Sequence, residues 1–216
     1  MMWTPLSITH FKSAKHLAAL SRELEEKYDG KSFAANNYIN NSYVIGSVFA
    51  AVAFLESNIN ELIAEAKDGD AQTLLHKLTE AEINGIKTNS TQIESSKAAK
   101  AERISLILHK YKSFLKTVGK TDFEESIIDE ASLLINLRNK LVHYSPEWIS
   151  SDPNEKHNIE IKLEGKFKES KLFEGTGNPF YPDKCLGSGC ADWSLKTAEK
   201  FADQFCQRLN IYPLYK

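Results

Sequence analysis

Arg138, Asn139 and His143 carry the groups best suited to chemistry in this chain. They lie in the stretch INLRNKLVHYSPEW, where an apolar run gives way to polar residues. A planar guanidinium matches the oxygens of a phosphate, and imidazole is the side chain that gains or loses a proton near neutral pH. This combination indicates a site for a phosphate-bearing ligand at the end of a helix.

Helical geometry places these side chains on two neighbouring faces. At about 100° per residue, Asn136, Asn139 and His143 form one polar stripe, while Arg138 occupies a slot on the adjacent apolar path. Arg138 and His143 are then about 140° apart around the helix. They need not touch within one chain, but they line one cleft if the helix end loosens or a second copy faces the first.

Arg138 has two candidate partners, because a buried guanidinium requires an anion or several acceptors. Glu56 flanks the apolar stripe of the central helix, with Asn60 one turn on, and a bound phosphate is the alternative. In the purely structural interpretation, Arg138 pairs with Glu56 and His143 caps the last carbonyls of its helix. Structural pairs outnumber catalytic ones, so the residues alone leave both interpretations open.

The elements that position these residues are predicted to be helices up to about residue 145. Apolar residues recur at steps of three and four positions through most of this region. The predicted helices cover 10–30, a central segment 45–63, a short segment 70–83, one long segment 94–119 and a last core helix. Thr121 and Glu124 have the spacing of a capping box for that last helix, and Pro146 ends it near Tyr144.

The remainder of the chain differs in character. Residues 146–190 are rich in glycine and proline, and the alternation in NIEIKLEGKF predicts a short edge strand in a wrapping loop. A final amphipathic helix is predicted over 191–210. The fold class is therefore all-α, with one domain over 1–216 and core helices at about 8–145.

Composition excludes several classes of protein. A net charge of −2 with 42% hydrophobic and 26% charged residues is typical of a globular chain and gives no overall bias toward nucleic acid. Cys185, Cys190 and Cys206 have neither a disulfide framework nor zinc-ligand spacing, so reduced thiols and no metal are expected. The glycine turns GTGNP and GSGC lack a phosphate-loop lysine, so no nucleotide cofactor is predicted.

Localisation is predicted to be cytoplasmic. The N-terminus lacks the basic and apolar regions of a signal peptide. The properly apolar part of NNYINNSYVIGSVFAAVAFL is shorter than the ~20 residues that span a membrane.

A local excess of positive charge lies in residues 87–120. Eight lysine or arginine residues stand there against Glu94 and Glu102. Such a face can hold an RNA backbone, although a solvated helix surface explains it equally well. The candidate RNA-binding residues are Lys97, Lys100, Arg103 and Lys110.

Three segments carry a family resemblance. LRNKLVHY, an arginine followed after four residues by a histidine on the last core helix, resembles the signature of the HEPN family. SVFAAVAFLESNINELI is similar to the acidic-residue-bearing helix of bacterial HEPN-like proteins. PFYPDKCLGSGCADW resembles the tail of the same group. Together they cover 40 of the 216 residues, about a fifth of the chain.

The resemblance implies a HEPN-like helical bundle that forms a homodimer, with two motifs facing one cleft. It further implies a metal-independent endoribonuclease of the defence or toxin type. Arg138 would hold the scissile phosphate, His143 would transfer a proton, Asn139 would orient one of these groups, and Glu56 would be a less secure acidic partner. Some members have a tyrosine two positions after the histidine, where this chain has Ser145.

The residue types suit RNA cleavage. RNA supplies its own 2′-hydroxyl nucleophile, so a proton acceptor and a charge stabiliser suffice. The expected products are a 2′,3′-cyclic phosphate and a 5′-hydroxyl. An antitoxin or a nucleotidyltransferase is the protein partner that this class implies. The competing expectation is a non-catalytic HEPN-like module that binds RNA, a nucleotide or a protein.

Overall fold

A computed structural model describes residues 5–68, 75–145 and 158–216, and the regular structure in these ranges is helical, without a strand. The all-α prediction is confirmed. The helices are α1 (Ser7–Lys27), α2 (Phe33–Asp68), α3 (Glu80–Ile93), α4 (Ser96–Ala101), α5 (Leu106–Thr117), α6 (Glu125–Val142), α7 (Asn158–Leu163) and α8 (Ser188–Leu209). A 3₁₀ turn, Lys171–Phe173, and a kinked π turn, Phe180–Lys184, precede α8.

Tertiary contacts divide the chain into two compact units. The first contains residues 1–9, 53–132 and 197–216, and the second contains 10–52 and 133–196. The chain therefore passes between units within α1, α2, α6 and α8. The single domain predicted over 1–216 stays a prediction.

Aromatic side chains form the core of the first unit. The Tyr111 ring meets Phe201 and Phe205 edge-on at centroid distances of 4.9 and 4.7 Å, while Phe123 stacks on Phe201 at 4.4 Å. Edge-to-face and offset-stacked pairs are the arrangements that the ring quadrupoles favour. These contacts join α5 and α8.

The Tyr111 hydroxyl is the polar group inside this core. It donates to the backbone oxygen of Leu55 at 2.8 Å and accepts from the Asn58 amide at 3.1 Å. Burial raises the pKa of Tyr111 far above its ordinary value, so the neutral phenol is retained. The two hydrogen bonds fix α5 against the second half of α2.

A buried carboxylate organises the second unit. Glu25 on α1 is only 5% exposed. Its oxygens accept from the Ser188 hydroxyl at 2.6 Å, the Ser188 backbone N–H at 3.1 Å, the Ser170 hydroxyl at 2.9 Å and the Asn40 amide at 3.2 Å. Ser21 donates to Asn40 at 2.7 Å. Because a buried carboxylate is costly unless it is hydrogen-bonded, these donors determine how α1, α2 and the start of α8 pack.

Helix α2 is the long apolar helix that the sequence predicts. It is long and apolar enough to cross a membrane, but half of its most apolar 18-residue window is buried within the protein, as in a core helix. Gly119, at φ of 67°, directly follows the C-cap of α5 and ends that helix, whereas Gly30, at φ of 84°, lies three residues past the end of α1.

The single helix predicted over 94–119 is wrong. The structure has α4 and α5 in its place, and Arg103 between them adopts a left-handed φ of 57°. Ser95 and Ser105 each accept a backbone N–H at 3.2 Å, three residues further on. A serine that caps a new helix satisfies N–H groups that a continuous helix would use itself, so the second serine restarts the helix.

The predicted capping box at Thr121 and Glu124 is also wrong. Helix α6 begins at Glu125, and the Thr121 hydroxyl accepts from the Arg208 guanidinium at 2.7 Å. The capping box lies instead at Thr79 and Glu82, at the start of α3. Both segments share the threonine-to-glutamate spacing, but at the second one Arg208 donates to the Thr121 hydroxyl and the Glu124 backbone N–H donates to Gln204 at 3.4 Å.

The edge strand predicted in NIEIKLEGKF is wrong as well. Asn158–Leu163 forms helix α7, whose buried residues are Glu160 and Leu163. These residues are three positions apart and lie on one helical face, whereas alternation alone needs a partner strand to become a sheet. The part of the predicted wrapping loop from 146 to 157 lies outside the described residues, and helix 191–210 corresponds to α8.

Removing the α3 cap tests the capping assignment. We expect Thr79→Ala to lower the free energy of unfolding by about 1 kcal/mol, because an N-terminal amide of α3 loses its acceptor. Thr121→Ala, the matched control, should cost less than about 0.5 kcal/mol at its exposed site. Urea denaturation of both variants measures the difference, and equal losses would contradict the assignment.

The capping box at Thr79 and Glu82 predicts that the free energy of unfolding depends on pH. Hydrogen bonds from the Thr79 backbone N–H and hydroxyl, together with Lys120, hold the pKa of Glu82 below its ordinary value. This carboxylate therefore stabilises the fold fully above its unfolded-state pKa, and the contribution disappears as pH falls through the lower folded-state pKa. Glu82→Gln should accordingly flatten the acid limb of a plot of stability against pH. An unchanged limb would show that Glu82 contributes nothing there.

Glu25 should be the costliest polar residue to remove from the second unit. We expect Glu25→Ala to lower the free energy of unfolding by about 3 kcal/mol, since buried donors lose their acceptor. Glu25→Gln should lie between that variant and wild type, because an amide N–H would face other donors. Glu26→Ala is the exposed neighbouring control, expected within about 0.5 kcal/mol of wild type. Urea denaturation measures the free energy of unfolding of all three variants.

Candidate functional site

Helix α6 presents Arg138 from an apolar surface. Leu134 and Leu137, which precede Arg138 on the helix, are fully buried, and Arg138 is half-buried. Within the described ranges its guanidinium makes neither a hydrogen bond nor an ion pair. A partly desolvated cation without an anion is unfavourable, so the site is suited to accept one.

His143 and Asn139 lie in the last turn of the same helix. The His143 backbone N–H donates to the Asn139 carbonyl oxygen at 2.9 Å, which extends the helical pattern one residue past Val142. Asn139 is half-buried, whereas the His143 side chain is exposed, as are Val142 and Tyr144 beside it. The imidazole is thus open to solvent and accessible to a substrate.

The helical spacing expected from the sequence is therefore present. Arg138 and His143 both lie at the C-terminal end of α6, on faces about 140° apart at 100° per residue. Arg138 and Asn139 are adjacent in sequence and share half-buried positions. In this ideal geometry one copy of the helix end supplies both chemical groups on different faces.

Glu56 is the residue that the sequence predicts as the acidic partner of Arg138. It is exposed on α2, in the part that belongs to the first unit, and it has no ion pair among the described residues. The role of Glu56 as the acidic partner stays a prediction. Asn60, one turn on, accepts a hydrogen bond from Lys110 at 2.7 Å.

The candidate RNA-binding residues separate into two groups. Lys97 and Lys100 on α4 and Arg103 just after it are exposed and free of ion pairs in the part of the chain described. Lys110 on α5 is only 9% exposed and its ammonium donates to Asn60. Lys110 is therefore less accessible than the other three residues, and its assignment to an RNA-binding face stays a prediction.

Sequence reasoning missed a cluster around His109 on α5. This imidazole is 1% exposed. Its Nδ1 lies 3.0 Å from Glu102 Oε2, and its Nε2 lies 3.2 Å from the backbone oxygen of Gln92 and 3.3 Å from Ser113 Oγ. A serine four residues after a histidine on a predicted helix was the available signal.

The distances in this cluster resemble those of a nucleophilic serine relay, but the acceptors argue against that role. A general base needs a free lone pair on Nε2 to take the serine proton. The Gln92 carbonyl oxygen competes with Ser113 Oγ for Nε2, and the imidazole is shielded from solvent. His109 is thereby committed to holding α5 to the end of α3 and to the turn after α4.

Cys185, Cys190 and Cys206 are free and buried, as the sequence predicts. A hydrogen bond with Cys190 and burial both raise the pKa of the Cys185 thiol. Burial raises the pKa of Cys206 to about 11. Thiols held in the protonated form inside a core are poor nucleophiles. Among the described residues, no group of three histidine, cysteine, aspartate or glutamate side chains has the arrangement of a metal site.

Comparison with known proteins assigns neither a family nor a function to this chain. No protein-family profile, curated protein or solved structure matches this chain. The resemblance of LRNKLVHY to the HEPN signature stays a prediction.

The two groups of basic residues should respond differently to substitution. Lys110→Ala should lower the free energy of unfolding by about 1–2 kcal/mol, because a buried side chain and its hydrogen bond to Asn60 are lost. Lys97→Ala should remain within about 0.5 kcal/mol of wild type. Urea denaturation compares them, and a stable Lys110→Ala variant would return Lys110 to the exposed set.

Proposed function

We propose that this protein is a metal-independent endoribonuclease of the defence or toxin type. The supporting observation is a half-buried Arg138 guanidinium without an anion among the described residues, one turn before a solvent-open imidazole. The HEPN-like pattern in LRNKLVHY points in the same direction. The proposed substrate is single-stranded RNA.

The proposed reaction is a transesterification. The 2′-oxygen forms a bond to phosphorus while the bond from phosphorus to the 5′-oxygen breaks, leaving a 2′,3′-cyclic phosphate and a 5′-hydroxyl. His143 takes the 2′-proton or protonates the leaving 5′-oxygen. Arg138 binds two phosphate oxygens and stabilises the charge that develops on them. Asn139 orients one of these groups through its amide.

Two copies of the chain complete the site in this proposal. One α6 helix directs Arg138 and His143 about 140° apart, so one phosphodiester is reached more directly by groups from two facing helices. A homodimer through the motif-bearing helices supplies that arrangement. An antitoxin or a nucleotidyltransferase is the proposed regulating partner, and the proposed location is the cytoplasm.

The alternative is a non-catalytic HEPN-like module that binds RNA, a nucleotide or a protein. The observation that favours it is the separation of Arg138 from His143 within one chain, since an anion clamp needs the guanidinium alone. The two proposals differ at His143. Its removal abolishes cleavage in the first and leaves binding unaffected in the second.

Cleavage of total RNA in excess EDTA tests the enzymatic proposal. We expect His143→Ala and Arg138→Ala each to lower the cleavage rate at least about 100-fold, because general acid–base catalysis and charge stabilisation each supply that much. His16→Ala, which removes an exposed imidazole from α1, is the matched control and should cleave at the wild-type rate. Product ends should be 2′,3′-cyclic phosphate and 5′-hydroxyl.

Equal cleavage by wild type and the Arg138→Ala/His143→Ala double variant would exclude these residues as the catalytic groups. Activity that EDTA removes and Mg²⁺ restores would exclude the metal-independent reaction. RNA binding without cleavage, weakened by Arg138→Ala and unaffected by His143→Ala, would select the binding module.

A further inference from the structure

Two buried cysteines at the start of α8 take no part in the proposed ribonuclease reaction. Cys185 follows the π turn, Cys190 lies in the first turn of α8, and both are 0% exposed. Their thiols are hydrogen-bonded to each other. The second unit therefore holds two sulfur atoms in contact, whereas Cys206 belongs to the first unit and is hydrogen-bonded to Tyr215.

The backbone between the two cysteines folds into a tight turn. The Gly187 N–H donates to the Cys185 oxygen at 2.9 Å, and the Cys190 N–H donates to the Gly187 oxygen at 3.0 Å. The Cys185 N–H in turn donates to the Phe180 oxygen at 2.6 Å. The backbone positions of both cysteines are thus fixed by hydrogen bonds of the main chain itself.

Residues 168–170 pack directly against this turn. A Cβ atom placed on Gly187 would lie 2.5 Å from Ser170 Cα, and one placed on Gly189 would lie 2.2 Å from the Lys168 oxygen. Real Cβ atoms do not approach other atoms so closely, so both glycines are required for this packing. The packing restricts the turn and, with it, the separation of the two cysteines.

The turn is also bound to α1 through Ser188. The Ser188 hydroxyl and backbone N–H donate to Glu25 at 2.6 and 3.1 Å, and the Ser170 hydroxyl donates to the same carboxylate at 2.9 Å. A covalent bond across the turn would therefore also hold in place the donors that the buried Glu25 carboxylate requires.

Burial slows the oxidation of these thiols without disfavouring its product. The hydrogen bond with Cys190, burial and the carboxylate of Glu160 all raise the pKa of Cys185, so little thiolate is present and reaction is slow. A dithiol and a disulfide are both uncharged, so a dry environment does not disfavour the disulfide as it disfavours a thiolate. The equilibrium depends instead on how closely the fold holds the two sulfur atoms.

We propose that Cys185 and Cys190 form a reversible dithiol–disulfide pair whose oxidation crosslinks the turn at the start of α8. One cysteine attacks a sulfur of a low-molecular-weight disulfide, which breaks the S–S bond of that reagent and releases one small thiol. The other cysteine attacks the resulting mixed disulfide, so that the protein disulfide forms and the second small thiol leaves. The protein loses two electrons and two protons, and the reagent gains them. This redox property goes beyond the proposed ribonuclease activity and does not depend on it.

A packing explanation makes the opposite prediction. A free cysteine fills a core as a small apolar side chain. Under that explanation the fold is built for two thiols and resists the shorter distance of a covalent S–S bond. The equilibrium constant for oxidation would then be no higher in the folded protein than in the unfolded protein, so comparing the two states separates the explanations.

The test measures this equilibrium constant in folded and in urea-unfolded protein. The full-length Cys206→Ala variant, which can form only the disulfide between Cys185 and Cys190, is equilibrated with 2-hydroxyethyl disulfide and 2-mercaptoethanol, both small and uncharged. After acid quenching, free thiols are alkylated with N-ethylmaleimide and counted by mass spectrometry. We expect the constant to be at least about ten-fold higher in the folded protein, because the fold raises the effective concentration of one sulfur at the other.

The equilibrium is approached from both directions because buried thiols react slowly. One sample begins fully reduced, and the other is oxidised in urea and then returned to urea-free buffer with the same redox mixture. Incubation continues until both samples give the same ratio. By linkage, oxidation should raise the folding equilibrium constant by the same factor, which urea denaturation of the reduced and oxidised proteins measures.

Two further proteins serve as controls. Wild type should form the same disulfide while folded and keep Cys206 available for alkylation, which peptide mass spectrometry establishes. Cys190→Ala retains Cys185 and Cys206 and should form no intramolecular disulfide while folded. Circular dichroism establishes that each reduced protein is folded.

A constant in the folded protein equal to or below that in the unfolded protein would overturn the proposal. Pairing of Cys206 with either other cysteine in folded wild type would do the same, as would an oxidised protein that does not regain the circular dichroism spectrum of the reduced one. None of these outcomes depends on whether wild type cleaves RNA.

Discussion

The cost of placing a charged group in a partly dry environment governs this molecule more than any other constraint. Glu25 shows how the chain meets it, because side-chain and backbone donors from three segments converge on one carboxylate. Those donors come from residues far apart in sequence, so the network forms only when α1, α2 and the start of α8 are packed. Arg138 is the opposite case, since it is half-buried on α6 without a partner among the described residues. A fold that surrounds one buried charge with donors and leaves another without an anion indicates a place for an external ligand.

His109 and His143 illustrate how the environment of an imidazole determines whether it can transfer a proton to a substrate. His109 faces a carboxylate, a carbonyl and a serine hydroxyl, and it is shielded from solvent. Its ring contacts three groups of the protein itself, so it has a structural role despite distances typical of a catalytic relay. His143 is exposed and has no side-chain partner in the described ranges. A proton-transfer group must exchange its proton with a substrate, which only the second environment permits.

Local sequence patterns predicted the presence of the helices better than they predicted helix boundaries and the partners of individual side chains. The positions of α1 and α8 follow from apolar periodicity, and Gly119 marks the end of α5 with a left-handed φ, whereas α2 extends well beyond the segment 45–63 that periodicity indicates. The break between α4 and α5 was missed because residues 94–119 are helical in periodicity, and a serine inside a periodic segment does not by itself indicate a helix start. The buried position of Lys110 was equally inaccessible, since its acceptor Asn60 is fifty residues away. The types and spacing of Arg138, Asn139 and His143 could be read from the sequence, whereas the absence of a described partner for Arg138 could only come from the structure.

The choice of an arginine at position 138 is consistent with the proposed reaction. A guanidinium is planar and binds two oxygens in a fixed orientation, which suits a group that must stabilise charge developing on a particular phosphate. A lysine ammonium is a flexible point charge that attracts a phosphate without fixing its orientation. Arg138 follows the buried Leu134 and Leu137 along α6 and is itself half-buried. An arginine is therefore better matched than a lysine to the proposed role of holding the scissile phosphate.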